Sequence, residues 1–290
     1  METLPQVRLG CSDLLVTRLI SGGNPLCAYS HFSQEMDEQM RGYFTPEQAV
    51  AYLHGLQQAG INALQARGDY HRILHWLELF RKEGGRLHWI AQTASEMSDV
   101  FQNIRIIAAA GAVGIYHHGT QTDRFWLEGR IDEARDYLKC MRDTGVQVGL
   151  GTHIPEVIEY AEEKGWDVDF YMACFYNINR KPRESALVSN NTAASEEEFL
   201  AEDPARMCKV IRQTEKMCLA FKILGASRLC SSQQDVAAAF QFAFSNIKPK
   251  DAVVVGMFPK HEDQIAFNIQ HTKAACETNA PNNPDARNGL

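Results

Sequence analysis

The sequence predicts a single-domain α/β protein with the fold of a (β/α)8 TIM barrel. Short apolar runs alternate with amphipathic stretches along most of the chain, which is typical of a parallel sheet with helical crossovers. Eight such runs occur within 290 residues, and a barrel of this kind uses about 250 residues. A doubly wound open sheet is the alternative fold. The predicted strands are residues 19–24, 61–66, 87–94, 112–118, 146–153, 168–177, 218–224 and 252–258.

The segments between these runs carry the end signals of crossover helices. Residues 45–60 begin with Thr45 as a helix N-cap and Pro46 at the first helical position, and they end on Gly60. Residues 155–165 repeat the pattern of an initial proline and a final glycine. Ser, Thr, Asp and Asn are favoured N-caps, whereas glycine is favoured just beyond a helix C-terminus. Each predicted helix therefore leads directly into the next strand.

The barrel domain is expected to span residues 1–276. Two long polar segments interrupt the alternation, residues 28–44 after the first strand and residues 178–203 after the sixth. Both are predicted to be loops at the C-terminal mouth of the barrel, where the active-site loops of such folds lie. Residues 277–290 are rich in Pro and Asn and are predicted to be a disordered tail.

The charge and composition of the chain argue against some classes of binding partner. The net charge is −7, and the basic residues form no long cluster, so neither a nucleic acid nor a membrane surface is expected as a partner. The eight cysteines include no C-x-x-C pair, which is typical of reduced thiols in a reducing compartment. No signal peptide or apolar run of about 18 residues is present. We therefore expect a cytoplasmic protein and leave its oligomeric state open.

Three stretches resemble the aldo/keto reductase family: VRLGCSDLLVTRLISGGNPL (7–26), TPEQAVAYLHGLQQAGINALQARGDY (45–70) and FKILGASRL (221–229). The likeness follows the order of the family over nearly the whole barrel, and it implies a barrel of the aldo/keto reductase type. In that family a tyrosine donates a proton to a substrate carbonyl while a nicotinamide cofactor delivers hydride. The resemblance thus implies an oxidoreductase that reduces a small carbonyl or sugar-like substrate, with NADPH as the expected cofactor.

Carried over position by position, the resemblance makes Tyr70 the proton donor and His118 the residue that orients the carbonyl. Gln65 stands where the family has an aspartate, and Gln92 stands where it has a lysine, with Thr93 as the other possible register. That charged pair lowers the pKa of the family's tyrosine, so Tyr70 is expected to titrate as an ordinary phenol, near pH ~10. Two neutral glutamines can hydrogen-bond to each other and leave the core satisfied.

The resemblance also implies a set of cofactor contacts. Thr152 and His153 stand where the family's serine and asparagine hold the nicotinamide amide, and Ala173 replaces a glutamine. Phe221 keeps an aromatic ring where the family stacks one on the nicotinamide. Lys260 is expected to replace the arginine of the phosphate-binding loop, although lysine lacks the guanidinium fork. The expected cofactor-binding residues are Gly23, Thr152, His153, Phe221, Lys222, Lys260 and Asn268.

Histidines at neighbouring strand ends support a second class of function. His117 and His118 are adjacent on a strand and point to opposite faces, so only one can enter the barrel. No metal is expected, but His118 and His153 are the alternative metal ligands, with Asp69 and Asp123 as the nearest acids or, otherwise, helix caps. The alternative functions are a non-redox TIM-barrel enzyme, such as an isomerase, lyase or metal-assisted hydrolase, and a binding protein without turnover.

Overall fold

The computed structural model describes residues 3–69, 72–95, 97–182 and 197–279. Strands β3 to β10 form a closed parallel barrel in sequence order, with β10 paired to β3, and each lies within or overlaps one of the eight predicted runs. The (β/α)8 prediction is confirmed, and the open-sheet alternative is wrong. In chain order the strands are β1 (Gln6–Arg8), β2 (Leu15–Thr17), β3 (Leu19–Gly22), β4 (Ala63–Arg67), β5 (His88–Gln92), β6 (Ala112–His117), β7 (Gln147–Thr152), β8 (Phe170–Cys174), β9 (Met217–Phe221) and β10 (Ala252–Gly256).

Helices connect the barrel strands. The Thr45 hydroxyl accepts a hydrogen bond from the Gln48 amide at 3.3 Å, and Gly60 adopts a φ of +90°, so the predicted end signals of that helix are confirmed. None of the described helices is long and apolar enough to span a membrane. The α-helices in the described ranges are α1 (Gln34–Tyr43), α2 (Pro46–Gln58), α3 (Ile73–Lys82), α4 (Val100–Ala109), α5 (Gly119–Leu127), α6 (Ala134–Asp143), α7 (Pro155–Glu163), α8 (Asp203–Gln213), α9 (Gln233–Asn246) and α10 (Gln264–Thr278).

The segments predicted as loops and tail differ in part from expectation. Residues 28–44 contain the ten-residue helix α1, which forms because Ser33 caps its first turn and Met40 is buried against the core. Within the predicted loop 178–203, residues 183–196 lie outside the described residues. Helix α10 extends to Thr278, beyond the expected start of the tail at residue 277. The remainder of the tail, residues 280–290, also lies outside the described part of the chain.

The barrel interior is apolar at one end and polar at the other. Side chains such as Ile20, Ala63 and Leu219 fill its centre, and Leu9 and Val16 of the β1–β2 hairpin region pack beneath them. The hairpin therefore closes the end where the strands begin. Polar inward-facing side chains are concentrated at the opposite end, where the strands terminate, and this is the end that carries the active site in barrels of this kind.

Candidate active site

A small polar pocket of about 80 Å³ lies at the C-terminal end of the barrel strands. Several residues singled out in the sequence meet there, although they come from different strands and the turns that follow them. The pocket therefore brings together residues implicated both in catalysis and in cofactor binding. The lining residues that matter below are Asn24, Gln65, Gln92, Tyr116, His118, His153, Phe221 and Lys222.

One wall of the pocket is a glutamine–tyrosine chain, formed by Gln65, Tyr116 and Gln92. The Gln65 side-chain amide donates to the Tyr116 hydroxyl at 2.8 Å, and that hydroxyl donates to Gln92 Oε1 at 2.9 Å. The two glutamines are thus bridged by a phenol, and the expectation that they bond directly to each other is corrected. Burial raises the pKa of Tyr116 well above its ordinary value, so this wall stays neutral at physiological pH.

An aspartate–histidine dyad, formed by Asp123 and His153, lies at the end of the neighbouring strand β7, and its histidine lines the pocket. His153 Nδ1 lies 2.7 Å from Asp123 Oδ2, and both side chains are buried. Asp123 also accepts hydrogen bonds from Thr152 Oγ1 at 2.5 Å and Asn179 Nδ2 at 2.6 Å. Asp123 therefore anchors a network inside the site and does not cap a helix, whereas Asp69 accepts from the backbone amides at the start of α3.

Glycines allow this dyad to form. Helix α5 starts immediately after β6 and crosses close to the end of β7, which places Asp123 beside His153. A Cβ atom on Gly151 would lie 2.8 Å from the His117 carbonyl oxygen, and one on Gly119 would lie 3.2 Å from His153 Cε1. Any larger residue at Gly151 would force the strand and helix apart, because the atom it meets belongs to the backbone.

The adjacent histidines point to opposite faces, as expected. His118 lines the polar pocket, with Nδ1 2.7 Å from the Ser95 hydroxyl and its backbone amide donating to Thr93 Oγ1 at 3.0 Å. His117 is buried beneath the helices and stacks on Tyr137 at a centroid distance of 5.0 Å. Burial lowers the pKa of His117 to about 4. His117 is therefore a neutral packing residue.

A larger cleft of about 540 Å³ adjoins the polar pocket. The two cavities share Asn24, Tyr29, His31, Gln65, Phe221 and Lys222. The cleft continues past the ends of β9 and β10 to the first residues of α9, and Asn268 of α10 lies on its wall. Its volume falls within the range of about 300 to 1,000 Å³ that is common for ligand sites.

Other residues with an expected role lie elsewhere. A Cβ atom on Gly23 would lie 2.6 Å from Ala66 Cβ, so this glycine permits close packing against β4 and is not part of either cavity wall. Thr152 uses its hydroxyl to hold Asp123. Lys260 lines a separate surface groove beside α1, so the structure places it away from the cleft. Tyr70, the expected proton donor, lies outside the described residues.

Sequence reasoning missed several residues of the mouth. Tyr116 carried a usable signal, because residues two apart on a strand share a face and His118 had been assigned to the interior. Tyr29 and His31 line both cavities from within the segment expected to be a loop. His31 Nδ1 lies 2.8 Å from Glu197 Oε1, an ion-pair contact across the mouth that local sequence patterns do not reveal.

The described ranges contain no cluster of side chains that supports the metal-binding alternative. Across residues 3–69, 72–95, 97–182 and 197–279, no group of three or more His, Cys, Asp and Glu side chains is placed to hold a metal ion. His118 and His153 share the polar pocket, but His153 directs Nδ1 toward Asp123. Their use as metal ligands remains a prediction from the sequence.

Comparisons with known proteins identify the fold alone. No protein-family model and no curated protein matches the sequence. An aldo/keto reductase from Brucella melitensis is similar in structure, with a TM-score of 0.55 and 11% identity over 95% of this chain and 99% of that one. Glycerol dehydrogenase from Gluconobacter oxydans gives 0.52 and 10%, covering 94% of each chain. A truncated 3-deoxy-D-arabino-heptulosonate 7-phosphate synthase from Thermotoga maritima gives 0.54 and 14%, over 95% and 93%.

Proposed function

We propose that this protein is an oxidoreductase that reduces a small carbonyl or sugar-like substrate with NADPH. The observation that carries the proposal is the joining of two unequal cavities, a polar pocket of about 80 Å³ and a cleft of about 540 Å³. The pocket suits a small polar group. The cleft suits a longer molecule that lies beside the ends of β9 and β10 and extends to the polar pocket.

The side chains of the cleft fit a dinucleotide. Lys222 supplies a cation, and Ser232 and Gln233 stand at the start of α9, where backbone amides and the helix dipole favour phosphate. Asn268 adds an amide on the opposite wall. The carboxylate of Glu262 also lies on the wall, and it accepts a hydrogen bond from the Gln233 side chain at 3.1 Å. Apolar residues complete the lining, as an adenine or nicotinamide ring requires.

The residues of the polar pocket would each have a different role in the reaction. A bound nicotinamide cofactor supplies hydride to the carbonyl carbon. His118 orients the carbonyl oxygen, and Ser95 holds its ring through Nδ1. The glutamine–tyrosine chain provides a rigid neutral wall, because both hydrogen bonds of the Tyr116 hydroxyl are used within it. Tyr70 is the proton donor that the family resemblance implies.

Two lysines provide a matched test of cofactor binding. Lys222 lines the cleft, whereas Lys260 lies in another groove. We expect Lys222→Met to weaken NADPH binding about tenfold, equivalent to about 1.4 kcal/mol, and Lys260→Met to leave it unchanged. Fluorescence titration of each purified variant with NADPH measures the effect, and thermal unfolding verifies that each variant is folded.

A second variant covers the case in which removal of Lys222 disturbs the fold. Ser232→Asp keeps a residue that caps helices well, yet it places a negative charge where the phosphates would lie. It should weaken NADPH binding while preserving the unfolding temperature. Absence of binding to the unaltered protein at about 1 mM NADPH, which corresponds to about −4.1 kcal/mol, would exclude the reductase function.

The aspartate–histidine dyad favours one second candidate, a cofactor-free isomerase or lyase. An imidazole held by a buried carboxylate is a suitable general base for removing a proton next to a carbonyl. Exchange of carbon-bound protons of dihydroxyacetone in D2O, followed by NMR, tests this candidate. Exchange without cofactor that is lost in His153→Asn would favour it, whereas NADPH binding without exchange would favour the reductase.

A further inference from the structure

We propose that His153, held by Asp123, is the residue that donates the proton to the substrate carbonyl. This inference rests on the proposed reductase function and assigns its acid to the end of β7 in place of Tyr70. Asp123 is a positioning residue that acts only through His153. The substrate class is a small aldehyde or ketone whose oxygen enters the polar pocket.

The first support for this inference is the fixed position of the Asp123 carboxylate. Asp123 has no exposed surface, and its oxygens accept from the Thr152 hydroxyl, the Asn179 amide, the His153 backbone amide and the His153 ring. These donors hold the carboxylate in one position with its oxygens acting as acceptors. Asp123 therefore fixes the orientation of the His153 ring through Nδ1.

The second support is the direction of the imidazole. His153 Nδ1 lies 2.7 Å from Asp123 Oδ2 and 2.9 Å from Asn179 Nδ2. Because an ionised carboxylate can only accept, we assign a proton to Nδ1, which leaves Nε2 to exchange a proton with a substrate. His153 lines the polar pocket, and its ring contacts Phe221 edge to face at a centroid distance of 5.5 Å. Phe221 lines both cavities, so His153 stands at the junction where a substrate in the pocket would meet a cofactor in the cleft.

Two other titratable groups of the pocket, Tyr116 and His118, are less suited to this role. Tyr116 already donates to Gln92 and accepts from Gln65, and its buried hydroxyl holds its proton tightly. His118 pairs at Nδ1 with the neutral hydroxyl of Ser95 at 2.7 Å. A neutral partner stabilises an imidazolium less than an ionised one does. His153 is therefore the better proton donor.

The step balances with the groups named. A nicotinamide cofactor in the cleft would supply hydride to the carbonyl carbon, where a C–H bond would form as the carbonyl π electrons moved to oxygen. The His153 Nε2–H bond breaks as an O–H bond forms, which gives an alcohol, neutral His153 and oxidised cofactor. Solvent then returns a proton to Nε2. Asp123 keeps the Nδ1–H hydrogen bond and stays ionised throughout.

Several charged or titratable groups surround His153, so the test compares variants at one position at a time. Among the described residues, the groups that share a cavity wall or a contact with His153 are Tyr29, His31, Tyr116, His118, Asp123, Cys174, Asp203, Arg206 and Lys222.

The decisive variant is His153→Asn, because asparagine is the residue that the family resemblance implies at this position. If His153 donates the proton, its replacement should lower kcat for glyceraldehyde reduction at least about a hundredfold, while the Kd for NADPH changes less than about threefold. If His153 only holds the nicotinamide amide, His153→Asn should keep or raise kcat and tighten cofactor binding. That result would overturn the inference.

A pH measurement gives a readout independent of the rate itself. The His153 ring is titrated by NMR in the protein without cofactor, and kcat is followed over the same pH range. Activity should fall as pH rises through the His153 transition, and Asp123→Asn should move both transitions to lower pH together. If Asp123→Asn shifts the NMR transition of His153 but leaves the pH dependence of kcat unchanged, the proton comes from another group, such as Tyr70.

Failure of this inference is distinguishable from failure of the proposed function. If NADPH does not bind to the unaltered protein, the reductase function fails and the inference fails with it. If NADPH binds and the protein reduces glyceraldehyde, but His153→Asn has a normal kcat, only the inference fails.

Discussion

Two hydrogen-bond networks lie at the mouth of this barrel on neighbouring strands, and they differ in charge. The glutamine–tyrosine chain on β4, β5 and β6 is neutral from end to end. The aspartate–histidine dyad on α5 and the end of β7 combines a buried carboxylate with a titratable ring. The ionisable pair of the mouth therefore lies on α5 and at the end of β7, whereas Gln65 on β4 and Gln92 on β5 are neutral.

The largest expected effect comes from removal of the dyad carboxylate. Asp123→Ala leaves the donors of Thr152, His153 and Asn179 without their shared acceptor, so the free energy of unfolding should fall by about 3 kcal/mol or more. Urea denaturation measures it. Asp143→Ala is the matched control, because Asp143 forms only an exposed ion pair with Lys139, and it should change stability by less than about 0.5 kcal/mol. Equal effects of the two variants would contradict the role given to Asp123.

The second-largest expected effect is a loss of stability at acidic pH, and it comes from the packing histidine His117 and not from the dyad histidine His153. The pKa of His117 is lowered to about 4 by burial, below its value in the unfolded chain. The unfolded state therefore binds the proton first as pH falls, and stability is lost from about pH 6.5 down to about pH 4. Between about pH 7 and pH 5 this loss amounts to about 2 kcal/mol.

His117→Phe should remove much of that acid sensitivity, because phenylalanine fills the stack without a titratable group. The measurement is urea denaturation of both proteins at about pH 7 and about pH 5. The unaltered protein should lose about 2 kcal/mol more than the variant does. A variant that is equally sensitive to acid would show that another group controls stability in this range.

The smallest effect tests the neutral network. Tyr116→Phe keeps the ring and removes the hydroxyl that joins Gln65 to Gln92. Stability should fall by about 1 to 2 kcal/mol, because the buried Gln65 amide and the half-buried Gln92 amide each lose a partner. Tyr160→Phe serves as control, since the Tyr160 hydroxyl contacts only exposed Asp132 at 3.3 Å or more. The pH dependence of activity should be the same in Tyr116→Phe as in the unaltered protein, whereas a shift would show that Tyr116 takes part in proton transfer.

The barrel was predictable because its strands are short buried runs separated by well-marked helices. Buried strands of parallel sheets give nearly continuous apolar sequences, and residues such as Thr45 and Gly60 mark the helix ends. Helix α1 was missed because it lies over the mouth with few buried positions, among them Asp37 and Met40. Such a helix has a weak apolar stripe and a composition close to that of a polar loop.

The site was less predictable because its contacts join elements that are distant in the sequence. Gln65, Gln92 and His118 could be placed by the order of the strands, whereas Tyr116 was missed although strand periodicity carried a signal for it. The dyad depends on the close approach of α5 to β7, which Gly119 and Gly151 permit. Asp123 is one of several polar residues in α5, and nothing in the local sequence shows that it faces a strand end.

The most direct test of a redox function is transfer of label from the cofactor. The protein is incubated with glyceraldehyde and NADPH that carries deuterium at the transferable position of the nicotinamide, and the alcohol product is analysed by mass spectrometry and NMR. The account predicts deuterium on the carbinol carbon, with loss of product in His153→Asn. Bound NADPH with no labelled alcohol, across a panel of small aldehydes and ketones, would contradict it.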